Sequence, residues 1–266
     1  MKKILTFTDI HMRDQGETII GLDPYVQLGN ALAHALDRHG NADLVILMGD
    51  LTNSGKPSEY QRVATLLQNC PLPVILMPGN HDNRDTLLAQ FPNTPTTKSG
   101  HLQTRQDYGD DCVLTLDTLD GPPFRNHHHG GILCAERLDW LETQLQDAQS
   151  QRVTVFTHHP IGPTGMDSVD AIGVVNAAQT RKLLKSYANV AHVFSGHVHR
   201  SMSGTIDDLS YTLFKSTCHQ TPLILGVNNT YSAVTEPAGY GVVLLTDAAV
   251  IGHTEYFEHY SISGNL

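Results

Sequence analysis

The sequence predicts an α/β fold in which two packed β-sheets carry helices on their outer faces. Short runs rich in Val, Ile and Leu alternate with segments of helical period, and after Arg200 the texture changes to hairpin-like alternation. With 266 residues, 40% hydrophobic and only 17% charged, the chain has the apolar material for a substantial core.

The strand-like runs are Lys3 to Thr8, Leu44 to Met48, Val74 to Met77, Cys112 to Leu116, Val153 to Thr157 and Ala191 to Ser195. Short runs apolar on both faces suit a largely parallel sheet covered on both sides. Asp23-Pro24 supplies an N-cap and a proline for the first helical position, Val26, Leu28, Leu32, Ala35 and Leu36 form a stripe, and Gly40 ends that helix. Leu138, Leu141, Leu145 and Ala148 mark one face of a helix from about Ala135, and Ala177 to Tyr187 reads as another. Beyond Arg200, Thr205 to Phe214 turns at Asp207-Asp208, and Val242 to Thr246 and Val250 to Phe257 flank a turn starting at Asp247. These hairpins, within residues 201–266, are expected to complete the second sheet or an edge. No repeat, linker or low-complexity tract divides the chain, so residues 1–266 are expected to form one domain.

Charge and composition exclude several functions. The 17 basic residues against 27 acidic ones give a net charge of -10, and the basic cluster Arg181, Lys182, Lys185 reads as a solvated helix face, which argues against long nucleic acid. No apolar run approaches the roughly 20 residues of a spanning helix, so no membrane association is expected. The opening MKKILTFTDIH resembles a leader, but Asp9 and His11 interrupt the apolar run and no small-residue cleavage site follows, so it reads as the first strand. Cys70, Cys112, Cys134 and Cys218 are scattered without a CxxC pair, as expected of buried thiols in a cytoplasmic protein.

The sixteen histidines are not spread at random. Five apolar runs are each followed by metal-capable side chains: Asp9 and His11; Gly49-Asp50; Gly79-Asn80-His81-Asp82; His158 and His159; and Gly196-His197-Val198-His199. In parallel α/β sheets the carboxyl ends of the strands share one edge, where ligands bind, so five segments converge on one crevice. Asp-x-His and His-x-His put two donors on one side of an extended backbone. The glycines let the chain turn so that the next side chain faces the crevice. Asp-x-His alone is a common surface accident and a lone His more often a satisfied core residue; five fragments in one order, each after a strand-like run, are neither.

Hydrolysis of a phosphate ester needs a nucleophile at neutral pH and positive charge against the developing oxyanion, which two divalent ions about 3.5 to 4 Å apart supply. Two such ions require a shared carboxylate and several imidazoles. A mixed Asp, Asn and His set without thiolate suits Mn, Fe, Co or Zn better than Ca or Mg.

The ordered motifs Asp9-x-His11, Gly49-Asp50, Gly79-Asn80-His81-Asp82, His158 and Gly196-His197-x-His199 resemble those of the calcineurin-like metallophosphoesterases, from about Lys3 to Arg200. Asn53 and Gly55, the run His158-His159-Pro160, and STCHQTP from Ser216 to Pro222 look most like the bacterial cyclic-nucleotide phosphodiesterases of the third class and related glycerophosphodiesterases. The resemblance implies a four-layer αββα sandwich of two mixed β-sheets flanked by helices, the metallo-dependent phosphatase fold. It further implies that Asp9, His11 and His199 hold one metal, that Asn80, His158 and His197 hold the second, and that Asp50 and a hydroxide bridge them. His81 then faces the substrate, hydrogen-bonding a phosphoryl oxygen or protonating the leaving alkoxide, and Asp82 orients it.

Other residues carry less weight. His127-His128-His129 precedes Gly130-Gly131 in a Pro/Gly-rich stretch and reads as a solvated loop, with a rim contact as the lesser reading. Strand alternation turns His159 away from the metals, towards a supporting role. The resemblance returns His219 to the metal pair as a candidate for substrate contact, and the loop Ile161 to Val174 is long enough to shape the pocket. There is no G-x-S-x-G elbow, Walker A run, G-x-G-x-x-G or H-E-x-x-H.

The expected activity is that of a dinuclear phosphodiesterase acting on a small diester, a cyclic nucleotide or glycerophosphodiester, by attack of a metal-bound hydroxide. A phosphomonoesterase with the same metals and a catalytically inactive metal-binding scaffold are the alternatives, and the strands after Arg200 leave room for a homodimer.

Overall fold

The strands form where alternate side chains find apolar partners on two faces. The computed structural model describes residues 1–121, 124, 129–226 and 232–258. In β1 (Lys2–Phe7), Ile4 faces one side and Leu5 and Phe7 the other; in β2 (Leu44–Met48), Leu44, Ile46 and Met48 face one side and Val45 and Leu47 the other. The remaining strands are β3 (Val74–Met77), β4 (Thr104–Tyr108), β5 (Asp111–Leu116), β6 (Arg152–Thr157), β7 (Val190–Ser195), β8 (Met202–Ile206), β9 (Leu209–Leu213), β10 (Gly239–Leu245) and β11 (Val250–Tyr256).

They assemble into a five-stranded sheet, order β11-β10-β1-β2-β3, and a six-stranded sheet, order β4-β5-β6-β7-β9-β8. Both are mixed: β1, β2 and β3 are parallel while β10 runs antiparallel to β1, and β5, β6, β7 and β9 are parallel while β4 and β8 are antiparallel to their neighbours. Between the sheets lies a core to which Ile4, Ile46, Ile75 and Val243 contribute from one side and Val113, Phe156 and Phe194 from the other. Phe156, Phe194 and Phe214 stack in series at 5.3 and 5.4 Å.

Helices cover both outer faces. On the first sheet lie α1 (Pro24–His39), α2 (Pro57–Leu67) and α3 (Arg84–Gln90), burying Leu28, Ala31, Tyr60, Val63 and Leu87 against Leu5, Phe7, Val45 and Leu47. On the second lie α4 (Ala135–Asp147), α5 (Asp167–Asp170) and α6 (Ala177–Lys185), packing Leu138, Leu141, Leu145, Val169 and Leu184 against Leu114, Val153, Val155 and Val193. The result is the four-layer αββα sandwich.

Asp23 caps α1 by accepting the Tyr25 N–H at 2.9 Å, with Pro24 in the first turn. The sequence reading passed over α2 and α3, yet their starts carry signals: Pro57 opens α2 and Glu59 accepts from the Ser54 and Lys56 amides, while Asn83 caps α3 by accepting from the Thr86 amide. Asp207 and Asp208 form the expected tight turn, with φ of 53° and 63°. The two C-terminal hairpins part company: β8–β9 joins the second sheet, whereas β10–β11 extends the first through β1. All four cysteines are free; Cys112 and Cys218 are buried as expected, but Cys70 and Cys134 are only half-buried. Among the described residues, no helix is long and apolar enough to cross a membrane.

Candidate metal centre

The carboxyl ends of β1, β2, β3, β6 and β7 open onto one crevice between the two sheets, and every side chain expected at a metal follows one of them. Backbone pairing continues past the strand ends, with Asp9 N–H donating to Gly49 O at 3.1 Å and His11 N–H to Asp50 O at 2.8 Å.

The local conformation differs from the extended one that the two-residue spacing suggests. Asp9, His11, Asp50, His197 and His199 all have positive φ, from 49° to 71°, so left-handed turns rather than strand alternation aim these side chains inward. Each such residue costs on the order of 1 kcal/mol or more, and the surrounding pairing holds it there. Glycines answer to crowding as much as to turning. Gly49 has φ 90°, but a Cβ on Gly79 would strike Asp50 and His158, and one on Gly196 would strike Thr8 and Asp9.

None of Asp9, His11, Asp50, Asn80, His158, His197 and His199 is more than 8% exposed. Asp50 stands at the centre: its Oδ2 is 3.4 Å from His11 Nε2, and its Oδ1 is 3.4 Å from His158 Nε2. Asp9 Oδ1 lies 3.4 Å from His199 Nε2, Asn80 Oδ1 lies 3.3 Å from His158 Nε2, and the Nε2 atoms of His11 and His199 are 3.0 Å apart. The His197 ring packs 5.2 Å from that of His158.

The imidazole and carboxylate orientations are set from behind. His158 Nδ1–H donates to the Met48 carbonyl and His199 Nδ1–H to the His219 carbonyl, both at 2.9 Å, so each ring directs its Nε2 into the crevice. Thr8 Oγ1 donates to Asp9 Oδ2 at 2.8 Å, and the His197 amide donates to the same carboxylate. Burial drives His11 and His197 well below the ordinary imidazole value and His199 to about 4, leaving all three neutral. Burial works against the charge of Asp50, but His158 and His81 hold its carboxyl well below the usual range. Burial also lowers His158, which Asp50 and Asp9 nevertheless push up to about 9.

These residues fit divalent cations. Neutral imidazole lone pairs converge on carboxylate oxygens, and His197 Nε2 is buried without a hydrogen-bond partner, an arrangement costly alone and satisfied by a cation. Asp9, His11, Asp50 and His199 offer ligand atoms within 4.8 Å of one another, as do His158, His159 and His197.

His81 sits at the opening. Its Nδ1–H donates to the Asn53 carbonyl at 2.8 Å and its amide to Asp50 Oδ1 at 2.9 Å. The expectation that Asp82 orients His81 is corrected: the Asp82 carboxylate takes five donors, the amides of Leu51, Thr52 and Gly79 and the hydroxyls of Thr52 and Tyr60. It ties the loop after β2 to the loop after β3, and the Asn53 carbonyl, invisible to residue-type reasoning, orients the imidazole. His159 is not turned away either. It is fully buried behind His197, ring centroids 4.6 Å apart, with Nδ1 2.7 Å from Thr118 Oγ1.

A cavity of about 360 Å³ covers the centre. His81, Asn53, Arg13 and His219 give it polar walls, while Ile19, Val169, Ile172 and Val198 are apolar; Val169 and Ile172 come from the long loop flagged in the sequence. His219 lies 4.3 Å from His199, ring to ring. His127 and His128 fall outside the described residues, but His129 lines the cavity, so for this residue the solvated-loop reading is corrected to a rim position.

The profile of the calcineurin-like phosphoesterase family matches residues 2–201. A probable cyclic nucleotide phosphodiesterase of Rhodopseudomonas palustris is 32% identical over 253 residues, 94% of this chain and 91% of that one. The glycerophosphodiester phosphodiesterase GpdQ of Enterobacter lignolyticus is 29% identical over 221 residues, covering 81% and 77%. Among solved structures, a dimetal phosphatase from Danio rerio superposes with a TM-score of 0.74 at 15% identity, covering 96% of each chain, a likeness of fold.

Proposed function

Because this chain belongs to the calcineurin-like phosphoesterase family, whose members are hydrolytic, we propose that it is a dinuclear-metal phosphodiesterase acting on a small phosphodiester, a cyclic nucleotide or a glycerophosphodiester. The observation that carries the dinuclear reading is the division of Asp50, whose two oxygens face imidazoles of different ligand groups at the same 3.4 Å. Asp9, His11 and His199 would complete one cation site on the Oδ2 side, and Asn80, His158 and His197 the other on the Oδ1 side. The donor set, without thiolate, suits Mn, Fe, Co or Zn.

Loaded with two divalent cations, the centre supplies positive charge against the phosphoryl oxygens and a hydroxide-like nucleophile from water at neutral pH. The chain's own residues do the rest. His81, tethered at Nδ1, turns Nε2 to the cavity, where it hydrogen-bonds a phosphoryl oxygen or protonates the departing alkoxide. Arg13 and His219 offer polar contacts, and Ile19, Val169, Ile172 and Val198 exclude water from the organic part of the substrate. A net charge of -10 disfavours long nucleic acid and makes the cations the local attraction for an anion.

Metal analysis paired with a screen of small diesters tests this reading. Reconstituted with Mn(II), the protein should hold two equivalents and cleave a bis-aryl phosphate faster than the matching monoester. A reversed preference would make it a phosphomonoesterase on the same centre; metal binding without turnover would make it a scaffold.

A further inference from the structure

The tract His127-His128-His129-Gly130-Gly131 stands outside the family motifs, yet its described end is built into the centre. Gly131 is buried, its N–H donates to Gly173 O at 3.1 Å, and its carbonyl accepts the Val175 N–H at 2.7 Å. A Cβ on Gly131 would lie 2.5 Å from the Cγ and Nδ1 of His159, so only glycine lets the backbone pass over that buried ring. Two residues earlier this path delivers His129 to the cavity. Its Nδ1 is 3.1 Å from Asn80 Nδ2, and its ring centroid is 5.5 Å from that of His81.

An amide nitrogen only donates, so His129 Nδ1 accepts. That contact decides which way the Asn80 amide faces: nitrogen towards His129, oxygen towards His158 Nε2 at 3.3 Å. The direction matters because an amide binds a cation through oxygen, and a flipped Asn80 would aim N–H groups at it.

We propose that His129 is a positioning residue that holds the Asn80 amide with its oxygen towards His158 and the cation the two would share. This rests on the reading of Asn80 as a ligand in a dinuclear centre. A hydrogen bond that merely closed the loop would affect stability when removed and leave cation affinity alone.

The test is Mn(II) binding to metal-free full-length protein by equilibrium dialysis, with thermal unfolding and diester kinetics in parallel, for wild type, His129→Ala, His129→Leu and His129→Asn. Wild type should take up two equivalents. His129→Ala should keep one at the wild-type affinity and weaken the other by about 10- to 100-fold, as loss of an outer partner does. His129→Asn, whose Oδ1 accepts the same hydrogen bond, should recover most of that affinity, and Gly131→Ala, which displaces the loop, should reproduce the loss. Two equivalents bound by His129→Ala with wild-type constants would overturn this inference alone; one equivalent bound by wild type would overturn the dinuclear reading and this inference with it. If His129→Ala does not fold, the comparison of His129→Asn with His129→Leu decides: tighter binding by His129→Asn supports the role, equal or reversed affinities overturn it.

Discussion

The imidazole of His81 is tethered to the backbone carbonyl of Asn53, Nδ1 to oxygen at 2.8 Å, which leaves Nε2 as its free nitrogen on a residue that lines the cavity over the candidate metal centre. The tether comes from the loop after β2, whereas His81 follows β3, so neighbouring strands cooperate to aim one side chain.

Replacing His81 by Ala should therefore lower kcat by about 10²- to 10⁴-fold while leaving metal content and melting temperature near wild type. Steady-state kinetics with leaving groups of graded acidity check the assignment. The loss should shrink as the leaving group improves, and a loss independent of leaving group would assign His81 to phosphoryl binding.

Asp82 should behave in the opposite way. Asp82→Ala leaves five buried donors without their acceptor, and a loss of about 3 kcal/mol or more of folding stability is expected. Urea unfolding measures it. Wild-type stability with lost activity would restore Asp82 to a direct role at His81.

Removing the cations should soften the whole crevice. At a concentration 100-fold above Kd a ligand of the native state adds about 2.7 kcal/mol, on the order of 5–10 °C in a chain of this size. A chelator should lower the melting temperature accordingly and abolish turnover, with both restored by Mn(II). An unchanged melting temperature would count against cations among these buried groups.

Asp117, at the end of β5, receives Arg84 Nε and Nη2 at 2.6 and 2.8 Å, and its backbone carbonyl accepts from Arg137. Burial opposes its ionisation, but the Arg84 hydrogen bonds and the charges of Arg84 and Arg137 outweigh it and hold the carboxyl below its ordinary value. A lowered carboxyl contributes stability above the unfolded value of about 3.9 and loses it as pH falls through the folded value. Asp117→Asn should cost about 3–5 kcal/mol at pH 7. The gap to wild type should close below about pH 4, as followed by denaturant unfolding across pH. A pH-independent gap would assign the loss to packing.

Gly196→Ala isolates the crowding. The added methyl meets Thr8 and Asp9, so binding at the Asp9 side should weaken while the strands remain intact. Circular dichroism and metal stoichiometry together decide, and full stoichiometry at wild-type affinity would show that the loop relaxes freely.

Much of this protein was readable from its sequence because apolar pattern and strand ends are local properties. The runs at Leu44 to Met48 and Val74 to Met77 coincide with β2 and β3, and the residues following five runs are those gathered at the crevice. The helix from Pro24 was legible from its cap. α3 spans only seven residues, too few for a helical period to show, whereas α2 was readable from Pro57 and Glu59 at its start and was passed over.

The sequence by itself determined which elements exist and which side chains could serve a cation, since burial pattern and ligand chemistry belong to residue types. Only the tertiary structure decided that β10–β11 joins the first sheet, that Asn53 rather than Asp82 orients His81, that left-handed turns aim the ligands, and that Gly131 carries His129 to Asn80. These depend on backbone carbonyls, steric clearance and contacts between residues far apart in the chain, and such relations arise only when the folded chain brings those atoms within reach.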